Sequence, residues 1–274
     1  MIVVTGATGN VGRPLVQSLV AAGEEVTAVS RRISAQDVPA GVRHQQADLA
    51  DPAKLEAAVD GATALFLLTS GNFAGAGGSL DTVLEVARAG GVRRVVLLSS
   101  QGVSTGHHPP VFEDAVKRSG LEWTLLRPGN FASNAFQWAE TVRAQRAIAA
   151  PFGDVGLPAV HPADIAEIAA IALRDARHAG HSYALTGPAP ITPRQQAAAI
   201  GEALGELVRF VEETRAEAKA RMIRSMPEPI VDSTLDILGT PGILQQVSPD
   251  VERLLGRPAR TFAEWAANNI AAFE

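Results

Sequence analysis

Gly6, Gly9 and Gly12 recur at a spacing of three in Gly6-Ala7-Thr8-Gly9-Asn10-Val11-Gly12, directly after the apolar run Ile2–Val4. A glycine-rich turn between a strand and a helix lets backbone N–H groups approach a pyrophosphate. The helix N-terminus adds partial positive charge there. The helix is predicted over Val11 to Ala22, so Thr8, Asn10 and Val11 belong to the same turn. The pattern is a G-x-x-G-x-x-G variant of the dinucleotide-binding turn. Cofactor choice is read at the end of the second strand, where an acidic residue would hold the ribose 2′-hydroxyl of NAD. Ser30-Arg31-Arg32 stands there instead. Two planar guanidinium groups suit a 2′-phosphate, so NADPH is expected over NADH. The next strand ends in Asp48-Leu49. That carboxylate is placed either to accept from an adenine amino group or to shape the turn before Asp51.

Thr69 and Ser70 end the fourth strand, beside the expected cofactor groove. The glycine-rich stretch 71–78 follows, with Phe73 as a candidate to stack on a ligand. Other chemistries lack their residues. No G-x-x-x-x-G-K-[ST] occurs, and Leu98-Ser99-Ser100-Gln101-Gly102 lacks the first glycine of a nucleophile elbow. The six histidines show no metal-ligand spacing, and the absence of cysteine removes thiolate sites and disulfides.

Parallel strands must position these turns. The runs Ile2–Val4, Val26–Val29, Ala64–Leu68, Val95–Leu98 and Thr124–Leu126 are nearly continuous in apolar residues. That is the signature of strands covered on both faces. Asp51-Pro52 reads as a cap and first helical residue. Ser79 precedes Leu80, Val83, Leu84 and Ala87 on one helical face. Strand–helix alternation up to residue 127 predicts an α/β fold: a Rossmann-type, doubly wound parallel sheet. Residues 130–160 read as irregular. Pro162–Leu173 reads as a helix, Tyr183–Leu185 as a strand with Tyr183 half-buried, and Glu212–Arg224 as a solvated helical face. Capping boxes at Thr192/Gln195 and Thr261/Glu264 open two more helices. The expected organisation is a dinucleotide-binding core over 1–129, completed by 158–187. A smaller C-terminal cap, which would bind substrate, takes 130–157 and 188–274, within one integrated unit.

The 274 residues carry a formal net charge of −5, with 46% hydrophobic and 19% charged residues. This is a globular composition that argues against nucleic acid or an anionic membrane as main partner. No apolar run reaches the ~18 residues of a membrane span. The chain opens on Met1-Ile2-Val3-Val4 without a basic leader, so a cytoplasmic protein is expected, monomeric or homodimeric.

The glycine turn, Asp48-Leu49, Ser99-Ser100, Leu125-Leu126-Arg127-Pro128-Gly129 and His161-Pro162-Ala163-Asp164-Ile165-Ala166 together resemble the NmrA-like branch of the atypical short-chain dehydrogenases/reductases. The Arg260-Thr261-Phe262 to Trp265 segment fits as well. The branch includes quinone reductases, a triphenylmethane dye reductase, reductases of plant phenolics and redox-sensing regulators that bind the dinucleotide without turnover. The resemblance implies that Ser100 polarises the substrate, with Ser99 as the alternative and Gln101 beside it in the substrate site. Lys117 fits the family's lysine position and would hold the ribose hydroxyls. Glu113 occupies the position of the usual tyrosine. The single tyrosine, Tyr183, has the wrong spacing for that role. His161 and Asp164 are expected to be structural. Asn130 and Phe131 would line the substrate site past the nicotinamide, Asn130 orienting the acceptor together with Ser100; Phe131, Phe136 and Trp138 would close the site from the apolar cap or serve equally as plain core.

In the usual mechanism a phenol protonates the developing alkoxide. Its loss leaves water, Lys117, Glu113, a histidine of the His107-His108 pair or a substrate hydroxyl as the proton source. It also favours electron-poor aromatic acceptors, because their hydride adducts are delocalised or neutral. The expectation is an NADPH-dependent reductase of a quinone or a polycyclic aromatic, polyketide-like ketone. The alternative is a non-catalytic redox sensor acting through a protein partner.

Overall fold

The computed structural model describes residues 1–69, 73, 78–240 and 242–274. Most of the stretch 71–78 therefore lies outside the described residues, as does Ser70. The chain divides into two compact units. One comprises Met1–Pro128 with Pro162–Leu185, the other Gly129–His161 with Thr186–Glu274.

Nine strands occur among the described residues: β1 (Ile2–Thr5), β2 (Val26–Ser30), β3 (Arg43–Gln46), β4 (Ala64–Leu67), β5 (Arg94–Leu98), β6 (Glu122–Pro128), β7 (Ala147–Ala150), β8 (His181–Leu185) and β9 (Arg209–Glu212). The first unit holds a seven-stranded sheet in the order β3-β2-β1-β4-β5-β6-β8. Every neighbouring pair is parallel. β1 and β4 are buried at every residue, as a sheet covered on both faces requires. The polar sequence of β3 suits its place at the sheet edge. From β1 the chain builds outward through β2 and β3, then returns to place β4 on the other side. This reversal opens a crevice beyond the carboxyl ends of β1 and β4, where doubly wound folds bind ligands.

The Gly12–Ala21 helix turns Leu15, Val16 and Leu19 into the core. The Leu80–Ala89 helix buries the predicted Leu80, Val83, Leu84 and Ala87, and the Ser79 hydroxyl accepts from the Thr82 N–H. Asp51 departs from expectation. Its side chain does not cap; it pairs with Lys54 at 2.9 Å, and the segment Pro52–Leu55 winds as a 3₁₀ turn. Tyr183 is 5% exposed, not half-buried, and its hydroxyl bonds His178 Nδ1 at 2.8 Å.

In the second unit the stretch read as irregular is ordered. Ala132–Trp138 forms a 3₁₀ segment, Ala139–Gln145 a helix, and β7 pairs in parallel with β9. Its short turns fall below the length at which helical periodicity is legible. Both predicted capping boxes form, and a third joins Thr214 to Glu217. Phe136 packs edge-on against Trp265 at 4.9 Å and stacks on Phe273, which makes it core of this unit. The charged stretch after Glu212 is paired rather than merely solvated. Lys219 meets Glu228 and Asp232, Arg215 meets Asp236, and Arg221 meets Glu213. These pairs tie the Arg215–Met222 helix to the Glu228–Gly239 helix and to the end of β9.

The glycines of the first turn differ in what they permit. Gly6 sits at φ +64°, where side chains are strained. A Cβ on Gly12 would overlap the Gly6 carbonyl oxygen and lie 2.8 Å from Ala7 Cα. At Gly9 a Cβ would meet only the Gly6 carbonyl oxygen, at 3.2 Å. Gly12→Ala is therefore expected to destabilise the fold by about 1–3 kcal/mol through overpacking, and Gly9→Ala by much less. Thermal unfolding of both variants checks this; equal losses would refute the distinction.

Candidate functional site

The crevice at the strand reversal has a volume of about 230 Å³. Gly6, Thr8 and Gly9 line it from the first turn, Ser30 and Arg31 from the end of β2, Asp48 and Leu49 from beyond β3, and Leu68 from beyond β4. Thr5 fixes its floor. Its buried hydroxyl donates to the Phe66 carbonyl at 3.0 Å and accepts from the Leu68 N–H at 2.9 Å, bridging β1 to β4. Thr8 and Ser30 share a hydroxyl–hydroxyl bond of 2.9 Å, which joins the glycine turn to the second strand. The sequence reading named neither Thr5 nor this Thr8–Ser30 bond; a threonine closing an otherwise apolar buried strand was the available signal.

The Gly12–Ala21 helix carries no side-chain cap and no acidic residue in its first turn. Arg13 N–H is already bonded to the Gly9 carbonyl at 3.0 Å and Pro14 has none, so the N–H groups left for an anion are those of Asn10, Val11 and Gly12. Asn10 and Gly9 are exposed at that end, whereas Val11 is buried under it. Arg31 and Arg32 are exposed, and neither has an ion-pair partner among the described residues. Asp48 accepts the Ala50 N–H at 3.0 Å, so one carboxylate oxygen shapes the turn while the residue stays exposed on the crevice wall. Phe73 also forms part of the wall; it is 2% exposed and packs edge-on against Phe112 at 5.8 Å. Thr69 follows β4, half-buried. An uncapped helix start, a cradle that a Cβ at Gly9 would begin to fill, and unpaired guanidinium groups together fit a phosphorylated dinucleotide.

A second group of residues gathers at the carboxyl ends of β5 and β6. Glu113, on the Val111–Arg118 helix, is 1% exposed. Its carboxylate accepts two bonds from Arg127, at 2.8 and 2.6 Å, and one from the Ser99 hydroxyl at 2.7 Å. Lys117 Nζ approaches it at 3.5 Å. Burial pushes the Glu113 carboxyl up, but the bonds from Arg127 and Ser99 and the charges of Arg127 and Lys117 outweigh it. The carboxyl is held below its ordinary value, so Glu113 is ionised at neutral pH and drops out as a proton donor. Arg127 is raised in turn, first by its hydrogen bonds to Glu113. The sequence placed Glu113 at the tyrosine position and among the candidate proton sources, not in a buried ion pair. The charged Arg127 within an apolar strand was the signal for a buried acidic partner.

Ser100 starts the Gln101–Ser104 turn of helix, and its Oγ accepts the Gly102 N–H at 3.1 Å. His108 Nδ1 lies 3.2 Å from the same oxygen. The His108 N–H bonds the Gly102 carbonyl at 3.0 Å, which folds the loop back over Ser100. Gln101 is half-buried beside it. His107 turns instead to Thr105 Oγ1, at 2.7 Å. The structure thus joins Ser100 to His108 and Lys117 to Glu113, as two pairs on neighbouring elements. Lys117 keeps 37% exposure and lies 5.9 Å from the Trp123 ring centre.

Asn130 and Phe131 belong to the second unit. Asn130 Oδ1 accepts from Asn134 Nδ2 at 2.9 Å, and Phe131 forms a bridge with Val160. Asn130, Asn134, Trp138, Phe152, Gln196 and Met226 are among the residues around a cavity of about 390 Å³ in this unit. Phe152 stands at φ +55°, a strained conformation for a large side chain. Its ring lies against Gly239, where a Cβ would come within 2.9 Å.

The chain is similar to known proteins in sequence and fold. A family described as NAD(P)H-binding matches residues 6–176. A (4-alkanoyl-5-oxo-2,5-dihydrofuran-3-yl)methyl phosphate reductase of Streptomyces griseus is 35% identical, over 100% of this chain and 99% of its own length. An NAD(P)H azoreductase of Xenophilus azovorans is 32% identical, over 100% and 99%. The crystal structure of an Escherichia coli NADPH-dependent quinone oxidoreductase in complex with NADPH superposes with a TM-score of 0.81. It is 28% identical and covers 98% of this chain and 99% of that one. The chain belongs to the NAD(P)H-binding family. It is an NAD(P)H-dependent reductase.

The depressed Glu113 carboxyl contributes stability that is complete above its ordinary value of 4.5 and is lost as pH falls through the folded value. Denaturant unfolding between pH 3 and pH 7 should show this acid loss in the parent chain and a flatter profile in Glu113→Gln. Arg127→Met, which strands the buried carboxylate, should cost roughly 3 kcal/mol at pH 7. An unchanged midpoint would refute the assignment.

Proposed function

We infer that the protein reduces a quinone or a polycyclic aromatic ketone with NADPH, without a catalytic tyrosine. The observation that carries this reading is the Ser100 hydroxyl at the carboxyl end of β5, beside a tyrosine position filled by a buried, ionised glutamate. Gly6, Thr8, Gly9, Asn10, Val11 and Gly12 would hold the pyrophosphate, and Asp48, Leu49 and Thr69 would line the groove. Arg31 and Arg32 would face the 2′-phosphate. The cofactor supplies a hydride; the chain supplies position and electrostatics. Ser100 donates a hydrogen bond to the acceptor oxygen as negative charge develops on it. Lys117 adds positive charge and serves the ribose hydroxyls, while its ion pair with Glu113 limits where it reaches. Gln101 and Phe73 are read as further substrate contacts in the first unit.

The cavity of the second unit has the size of a small-molecule pocket, and its lining is mostly apolar with a few amides. Trp138, Phe152, Met222 and Met226 offer flat and adaptable surfaces, and Asn130, Asn134 and Gln196 offer hydrogen bonds. That lining suits a planar aromatic body carrying carbonyl oxygens. Acceptors of this kind agree with the quinone and azo compounds named for the relatives.

Purified protein with NADPH should consume 9,10-phenanthrenequinone, a polycyclic aromatic ketone or the cationic dye malachite green. Ser100→Ala should slow the carbonyl acceptors by roughly 10²-fold. Tight NADPH binding with no turnover across the panel would overturn the reading and favour a sensor. Replacing both Arg31 and Arg32 by alanine should weaken NADPH binding about tenfold or more and leave NADH nearly unchanged. An unaltered NADPH-to-NADH affinity ratio, measured by fluorescence titration, would refute the 2′-phosphate assignment.

A further inference from the structure

We propose that His108 is the proton reservoir of the reaction, acting through Ser100 in place of the missing phenol. The inference rests on the reductase reading above. A serine oxygen offers two acceptor positions and one O–H. Here the Gly102 N–H takes one acceptor position at 3.1 Å. A proton on His108 Nδ1, 3.2 Å away, takes the other. With both filled, the Ser100 O–H has no remaining partner among the described residues and is left to point at an acceptor oxygen.

The loop is built to keep this geometry. The His108 N–H is tied to the Gly102 carbonyl at 3.0 Å. A Cβ on residue 102 would come within 2.6 Å of the His108 ring, so only glycine lets the imidazole lie there. His108 is exposed, which opens its ring to proton exchange with solvent. His107 has a different partner, Thr105, and so takes no part. The charged groups on the elements around this turn are Arg94 of β5, Glu122 and Arg127 of β6, and Glu113, Asp114, Lys117 and Arg118 of the Val111–Arg118 helix; Arg94 and Glu122 pair with each other, and Arg118 pairs with Asp81. Arg127 and Lys117 are both turned to Glu113, leaving His108 as the titratable side chain that contacts the serine.

The step balances as follows. Hydride addition to a carbonyl carbon places a negative charge on its oxygen. The Ser100 O–H bond breaks as the new O–H bond forms on that oxygen. Ser100 Oγ takes the Nδ1 proton of His108 as Nε2 takes one from solvent, so the imidazole stays neutral and the proton on the product comes in net from water. A cationic dye differs, because its hydride adduct is neutral and needs no proton. Imidazole is the side chain suited to such exchange between about pH 5 and 8.

The test uses His108→Asn, which keeps an N–H donor near the Nδ1 position but cannot resupply a proton. With NADPH saturating, this variant should reduce a polycyclic aromatic ketone, whose hydride adduct is a localised alkoxide, roughly 10²-fold more slowly than the parent. Its reduction of malachite green should stay within about twofold. An independent readout needs neither cofactor nor acceptor. ¹⁵N NMR of the histidines should show a protonated Nδ1 at His108 that changes in Ser100→Ala. Equal effects of His108→Asn on both acceptors, or none on either, would overturn the relay alone. An Nδ1 resonance indifferent to Ser100→Ala would overturn the pairing. Absence of all turnover would overturn the reductase reading and the relay with it, whatever the NMR shows.

Discussion

One buried carboxylate organises the edge of the first unit where β5 and β6 end. Glu113 draws the Arg127 guanidinium from the end of β6 and the Ser99 hydroxyl from the end of β5 onto one helix. Removing it from water is costly, and the cost is offset only because its donors arrive together with good geometry. The ends of β5 and β6 are thereby held at fixed distances from the Val111–Arg118 helix. The Ser100 turn begins one residue after Ser99, so its orientation inherits that restraint. The carboxylate reaches inward, to Arg127 and Ser99.

The division of labour among the turn glycines follows similar logic. Gly6 gives the chain its left-handed step, Gly12 lets the helix start press against that step, and Gly9 leaves its surface open. The Thr8–Ser30 bond then locks the turn to the neighbouring strand. Close packing below and free N–H groups above are two sides of one arrangement. The helix cannot be capped by its own side chains without closing the cradle.

Much of this was legible in the sequence because it rests on local signals. Apolar runs marked the central strands, and Ser79, Thr192 and Thr261 marked helix starts through their own side chains. The glycine turn was readable because its spacing expresses backbone geometry. What escaped was set by long-range pairing. Glu113 and Arg127 stand fourteen residues apart, and nothing in either neighbourhood states that they meet. The short turns between Ala132 and Gln145 have too few residues to show a period. The ion pairs joining the Arg215–Met222 and Glu228–Gly239 helices looked like surface charge because their partners lie on another element.

The placement of the three tryptophans gives the molecule a built-in optical readout. Trp123 lies in the first unit, close to the Lys117 ammonium. Trp138 borders the cavity of the second unit, while Trp265 is sealed in that unit's aromatic core. Indole emission responds to nearby charge and to water. Each unit therefore carries an indole beside the groups assigned to chemistry, and the second carries a shielded one as internal reference. With a single tyrosine to add background, single-tryptophan versions of this chain would resolve events in one unit from events in the other by emission colour alone.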